Sequence, residues 1–193
     1  FFLVWFLLKE SLTEDTKQRQ TKDHNSLRQA LSGSQSILYL LQLFISLSLS
    51  GLEATFAYFG AQKAGLGTVE LGYIFMIMGI ASAIVQGGLI GRLTKSFGEG
   101  FVIQVGIAIS ALGFGLILFV DSFATAALFL TIFGVGNGVI RPSVSSLLTK
   151  TSTTGHGSAT GFLSSFDSLG RIIGPPLGGW LFSVTLGLPY ISG

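Results

Sequence analysis

The residues of this chain that could do chemistry are charged side chains inside long apolar segments, above all Glu53, Asp167 and Arg171. Asp167 and Arg171 are four residues apart with the acid first, the order that lets two side chains pair on one helix. Pairing lowers the cost of both charges where the dielectric constant is low. The pair is therefore either a structural ion pair facing a helix bundle, or a site where Asp167 exchanges a proton or Arg171 meets a substrate group.

Glu53 is an isolated acid, because no Lys or Arg lies within four positions of it. An unpaired carboxyl buried in apolar surroundings holds its proton more readily than one in water, as a proton carrier requires. An acid near the membrane interface, wetted by an open cavity, would have the same sequence neighbours. We predict Glu53 and Asp167 as proton-coupling candidates, with Glu53 ahead.

Further polar residues in apolar segments have weaker signals. Arg141 precedes Lys150 by about two and a half helical turns, so we expect its long side chain to reach the lipid headgroups by snorkelling. Asn137 and Gln42, like Arg171, are candidates for lining a polar substrate cavity. Hydrogen bonding between helices explains the two amides equally well.

Composition places the chain in a membrane. Hydrophobic residues make up 49% of it and charged residues only 10%, against about 25% charged in a soluble domain. We predict an all-α polytopic membrane protein with five complete transmembrane helices plus the end of a sixth, because about 20 apolar residues cross the hydrocarbon core. The predicted spans are 36–61, 70–92, 100–120, 122–148 and 157–187, and residues 1–8 are the end of the sixth.

Several classes of function are excluded by the residue types. The chain has no cysteine and its two histidines lie in polar connections, so we predict no metal site and no cofactor. A net charge of +2 is too small to indicate nucleic-acid binding. Nothing supplies an activated nucleophile or a phosphate-binding loop, so we predict that the protein is not an enzyme.

The distribution of Lys and Arg predicts the orientation in the membrane. Eight of them fall on one side of the predicted spans and only Lys63 falls on the other. Because basic residues accumulate in cytoplasmic connections, the polar linker 9–35 is predicted to be cytoplasmic. The eight are Lys9, Lys17, Arg19, Lys22, Arg28, Arg92, Lys95 and Lys150.

Two motifs resemble signatures of the major facilitator superfamily. Residues 91–99 match its cytoplasmic loop signature at Gly91, Leu93, Phe97 and Gly98, but Lys95 and Ser96 replace the aspartate and arginine, so the charge pair of that signature is not carried over. Residues 170–179 match every fixed position of the antiporter signature glycine-x-x-x-glycine-proline-x-x-glycine-glycine. These positions are Gly170, Gly174, Pro175, Gly178 and Gly179.

The second motif also has a physical meaning of its own. Glycines at every fourth position lie along one helical face, where a neighbouring helix can approach closely. Pro175 and Pro176 cannot donate to the preceding turn, so we expect a bend there. A charged, glycine-faced helix of this kind favours moving parts over a lipid anchor.

The resemblance implies the second half of a twelve-helix drug:proton antiporter. Residues 1–8 would be the end of helix six, 9–35 the central linker and 36–193 the C-terminal bundle of helices seven to eleven, without helix twelve. Its implied function is proton-coupled efflux of small hydrophobic compounds, such as drugs or antibiotics, by alternating access across the cell membrane. The implied partners are the bilayer, the substrate, protons and the missing N-terminal half; an uptake symporter for a nutrient or a non-transporting scaffold are the alternatives.

The orientation leads to a labelling prediction in the full-length parent, with any cysteine outside this chain replaced. A cysteine at Gly65 should react with an impermeant reagent added outside intact cells, while a cysteine at Ser96 should react only after permeabilisation, because the two connections lie on opposite sides. The reverse pattern of labelling would overturn the charge argument.

Overall fold

The computed structural model describes residues 35–151 and 156–192, and these residues form helices without β-strands. The predicted all-α fold is confirmed. The predictions for residues 1–8 and for residues 9–34 of the linker lie outside the described residues. The helices are α1 (Ser36–Ala64), α2 (Thr68–Ile84), α3 (Ile90–Phe97), α4 (Glu99–Leu116), α5 (Phe123–Thr151), α6 (His156–Val184) and α7 (Leu188–Ser192).

Four helical segments are long and apolar enough to cross a membrane, with mean hydropathies between 1.6 and 2.3. The fifth predicted span is also helical. It corresponds to α6, which has 29 residues, as many as α1. It is less apolar than the others, since it carries serines, glycines and two charged residues. The four apolar segments are Ser36–Ala64, Thr68–Phe97, Glu99–Phe119 and Phe123–Thr151.

Contacts along the helices define how they run. α6 packs parallel to α1, since Tyr39 stacks on Phe166 in the first half of both helices and Tyr58 meets Phe182 near their ends. α4 and α5 form an antiparallel pair. α2 runs beside α5, where a Cβ on Gly138 would lie 3.3 Å from the Cβ of Ser82.

The second predicted span contains a change of helical type. A π-helical turn, Val85–Leu89, joins α2 to α3. Such a turn inserts an extra residue and rotates the following side chains around the helix axis. α3 then ends at Phe97, and the capping residue Gly98 has a φ of 81°, which residues with a side chain rarely adopt. Glycine is therefore required at this turn of the loop motif, although the charged positions of the motif are replaced.

An aromatic core closes the opposite end of the bundle. Phe56, Phe59 and Phe114 are buried there, and Tyr190 of α7 packs against them with its ring centroid 4.7 Å from that of Phe59. The Tyr190 hydroxyl also shares a 3.1 Å hydrogen bond with the Thr55 hydroxyl. The short α7 is thereby fastened to α1.

The loop between α1 and α2 changes the choice of residue for the labelling prediction. Gly65 has a φ of 61°, so a cysteine at this position would strain the backbone. Gln62 is exposed three residues earlier in the same region. Gln62→Cys is therefore the better outside probe, and Ser96, which is exposed in α3, remains suitable for the other side.

Three glycines of α6 lie against α1. A Cβ at Gly170 would lie 2.6 Å from the Leu43 carbonyl oxygen and 2.9 Å from the Leu47 amide nitrogen. A Cβ at Gly174 would lie 2.7 Å from the Leu47 carbonyl oxygen, and one at Gly178 would lie 3.1 Å from the Cα of Gly51. At Gly170 and Gly174 the two backbones are therefore closer than a side chain would allow, and at Gly178 a side chain would fit only tightly. α6 continues as a helix through the proline pair.

Gly170→Ala should destabilise the protein, because its methyl group meets main-chain atoms that cannot rotate away. We expect a loss of about 1–3 kcal/mol, measured by thermal unfolding of the purified full-length protein in detergent. Gly179→Ala is the matched control, since a Cβ at Gly179 has no neighbour within 4 Å. Equal melting temperatures for the two variants would show that the α1–α6 contact is looser than described.

Candidate functional site

The carboxylate of Asp167 is the centre of a polar cluster between three helices. The close contact at Gly170, three residues further along α6, holds this part of α6 against α1. Asp167 thereby reaches the face of α1 that carries Gln42 and Ser46, which are one helical turn apart and both 2% exposed. Only 16% of the Asp167 side chain is exposed.

Two side chains of α1 donate to the Oδ1 atom of Asp167. The Gln42 Nε2 atom lies 2.8 Å from this oxygen, and the Ser46 hydroxyl donates to it as well. The Gln42 amide also donates to the Ser46 hydroxyl oxygen at 3.2 Å. Hydrogen bonds to an ionised acceptor are stronger than those between neutral groups, so these contacts fasten α6 to α1.

Two guanidinium groups share the other carboxylate oxygen. The Nη2 atom of Arg141, on α5, lies 2.9 Å from Asp167 Oδ2, and the Nε atom of Arg171 lies 3.2 Å from it. The expected pairing between Asp167 and Arg171 is thus present in the structure. We call these five residues the Asp167 cluster: Gln42, Ser46, Arg141, Asp167 and Arg171.

The snorkelling prediction for Arg141 is wrong. Its guanidinium points to Asp167 and joins α5 to α6 instead of extending toward the headgroups. An ion pair with a carboxylate stabilises the charge more directly than a partial reach to water, once the two helices bring the groups together. The carboxylate lies 26 positions further along the chain, so the local sequence around Arg141 does not indicate it.

Glu53 lies outside the Asp167 cluster and is exposed on α1. It is seven residues after Ser46, so both share one helical face. α6 covers that face at Ser46 but has crossed to Gly51 by the level of Gly178. No described residue covers Glu53. The side chain expected to be buried is therefore exposed in this part of the protein.

Asn137 is separated from the other predicted cavity residues. It is buried on α5 one turn before Arg141, and it lines an open pocket between α1, α4 and α5. Phe44, Ser48 and Ser110 are among the other residues of that pocket. The structure therefore brings Gln42 and Arg171 together and places Asn137 in a different, mostly apolar hollow.

Comparison with known proteins agrees with this architecture. Residues 1–175 match the family model described as Major Facilitator Superfamily. The chain belongs to this superfamily. The predicted resemblance to this superfamily is confirmed, and a family of transporters agrees with the prediction that the protein is not an enzyme.

Curated relatives of this superfamily member have names that refer to drug resistance. Multidrug resistance protein 2 of Bacillus subtilis is 27% identical over 96% of this chain and 48% of its own length. Multidrug resistance protein 1 of the same organism is 31% identical over 80% of this chain and 40% of its own length. Quinolone resistance protein NorA of Staphylococcus aureus is 25% identical over 97% of this chain and 50% of its own length. The chain spans about half the length of the relatives it matches.

A second ion pair lies at the end of the bundle where the loop motif is found. Glu99, in the first turn of α4 after Gly98, pairs with Lys150 near the end of α5 and accepts a 3.2 Å hydrogen bond from the Ser146 hydroxyl. Gly91, Leu93 and Phe97 themselves lie in α3. The basic end of this superfamily member is thus tied together by a charge pair that uses none of the four matched positions of the loop motif.

Sequence reasoning missed two members of the Asp167 cluster as site residues, Ser46 and Arg141. Ser46 had a usable signal, because it stands four positions after Gln42 in an apolar span and so shares its helical face. For Arg141, the sequence offered no signal other than its charge. In residues 35–151 and 156–192 no group of three His, Cys, Asp or Glu side chains could hold a metal ion.

Ser46→Ala should destabilise this superfamily member, because it removes a hydrogen bond to a partly buried, ionised acceptor. We expect a loss of about 1.5–3 kcal/mol, measured by thermal unfolding of the full-length protein. The matched control is Ser48→Ala, the same change on the same helix at a residue that faces the apolar pocket. If both variants melt at the same temperature, the Ser46 hydroxyl does not support the Asp167 cluster.

Proposed function

We propose that this chain is the C-terminal part of a proton-coupled exporter of small hydrophobic compounds, drugs and antibiotics among them. The observation that carries the proposal is a charged, hydrogen-bonded cluster joining three helices inside an otherwise apolar bundle. Ionisable residues at such depth are costly and typically mark the pathway of an ion or substrate. The names of the relatives supply the substrate class.

The assignment to the C-terminal half is supported by the motifs. The antiporter signature lies on α6, and the weaker copy of the loop signature lies between the second and third described spans. Substrate would then bind near the middle of the membrane, between this bundle and the N-terminal half of the same protein. The two halves would rock about that site to expose it to each side in turn.

The proposed orientation places the linker 9–35 in the cytoplasm, with the chain crossing the cell membrane several times. Among the described residues, Arg92, Lys95 and Lys150 lie at the end of the bundle where α3 and α5 finish. Lys63 lies at the opposite end, in the last turn of α1. This asymmetry favours a cytoplasmic location for the first end.

Glu53 is the better candidate for the proton-coupling acid. Protonating Asp167 would disrupt contacts from four donors, two of them guanidinium groups. Glu53 gives up no ion pair or hydrogen bond with a described residue, and it is open to the space beside the bundle. We propose that Glu53 binds and releases the proton, while the Asp167 cluster holds α1, α5 and α6 in register.

Glu53→Gln should abolish proton-driven efflux and leave substrate binding intact, because the amide keeps the size and polarity of the side chain but cannot ionise. Efflux would be followed in membrane vesicles of the full-length parent under an imposed proton gradient. Glu70→Gln is the matched control, since Glu70 is also exposed but lies in the first turn of α2. Normal efflux in Glu53→Gln would eliminate Glu53 and make Asp167 the remaining candidate.

A further inference from the structure

The Asp167 cluster has an unbalanced positive charge. Two guanidinium groups meet one carboxylate, so the three side chains together carry a net charge of about +1. The acid of α1, Glu53, lies 11 residues beyond Gln42, which is about 16 Å along the helix axis. In the part of the chain that the structure describes, no second acid pairs with either arginine.

Most of the arginine donors are still available. A guanidinium group has five N–H bonds, and each arginine directs one nitrogen atom at Asp167. The side chains of Arg141 and Arg171 are 41% and 46% exposed, whereas that of Asp167 is 16% exposed. Asp167 is thus the most covered of the three side chains, and the arginines keep exposed surface at which their unused donors can meet a ligand.

The exposed face of α6 beside Arg171 is polar. Ser164 and Ser168 are exposed and lie seven and three residues before Arg171, so the three side chains form one stripe along the helix. A helix face directed at lipid would be apolar, whereas a face directed at a water-filled cavity can carry hydroxyl and charged groups. Ile172, which is 68% exposed and follows Arg171 along the chain, borders this stripe and would suit the apolar body of an amphiphilic compound.

We propose that Arg141 and Arg171 together bind a carboxylate group of the transported compound. The two nitrogen atoms on Asp167 Oδ2 lie no more than about 6 Å apart, close enough for both guanidinium groups to address one small anion. Planar guanidinium donors match the two oxygens of a carboxylate. Amphiphilic carboxylates are therefore substrates, and cationic compounds are disfavoured next to the cluster.

This inference rests on the proposed function, because it names the chemical class of compound that the exporter binds. A carboxylate could also come from an acidic residue of the protein's other half. The test must therefore separate a requirement for the ligand's charge from a requirement for the arginine alone. A ligand pair that differs only in that charge does so.

Binding of pyrenebutyrate and of its uncharged amide, pyrenebutyramide, would be measured with the purified full-length protein. The readout is quenching of tryptophan fluorescence by energy transfer to pyrene, corrected with empty micelles. We expect the parent to bind the acid at least tenfold more tightly than the amide, because a carboxylate gains charge-assisted hydrogen bonds. Arg171→Gln should remove this preference without changing the affinity for the amide, and Arg171→Lys should retain part of it.

Arg92→Gln is the control variant, since Arg92 is an exposed arginine in α3 remote from the Asp167 cluster, and it should keep the preference. Equal affinity of the parent for acid and amide would overturn the proposal. So would an equal loss of both ligands in Arg171→Gln, which would assign the arginine to a carboxylate of the protein itself. Proton-driven efflux of a neutral hydrophobic dye, measured separately, tests the export function independently of this preference.

Discussion

The close parallel contact between α1 and α6 is the constraint on which the rest of the site depends. Gly170, Gly174 and Gly178 place no side chain between the two backbones. Main-chain atoms of α1 therefore occupy the positions that a Cβ of α6 would need. Only at this separation can the short Asp167 side chain reach both Gln42 and Ser46. The motif that resembles an antiporter signature therefore has a direct mechanical role: it positions a carboxylate.

The Asp167 carboxylate, once positioned, organises three helices. Its two oxygens accept from different groups. Oδ1 accepts hydrogen bonds from the neutral donors of α1, and Oδ2 accepts from the guanidinium groups of α5 and α6. Donors to both carboxylate oxygens offset the cost of removing this charge from water. The same arrangement leaves one positive charge in excess, which is the basis of the proposed carboxylate binding.

The crossing of α1 and α6 gives Glu53 and Asp167 different environments. Near Ser46 the helices touch on the polar face of α1, whereas near Gly51 the contact has moved to another side. Asp167 is consequently held by four donors, while Glu53, on the same face of α1 as Ser46, is left open. One helix pair thus provides a fixed charge and a free acid.

The sequence by itself determined the helices and the local pair. Long apolar runs must satisfy their backbone hydrogen bonds internally in a membrane, so the spans follow from composition, and the Asp167–Arg171 contact follows from a spacing of four on one helix. Only the tertiary structure decided that Arg141 reaches Asp167, that Ser46 donates to it, that Asn137 faces a separate pocket and that Glu53 is exposed. These outcomes depend on where helices cross and how each is rotated about its axis, and the periodicity of a single helix carries no information about its neighbour's position.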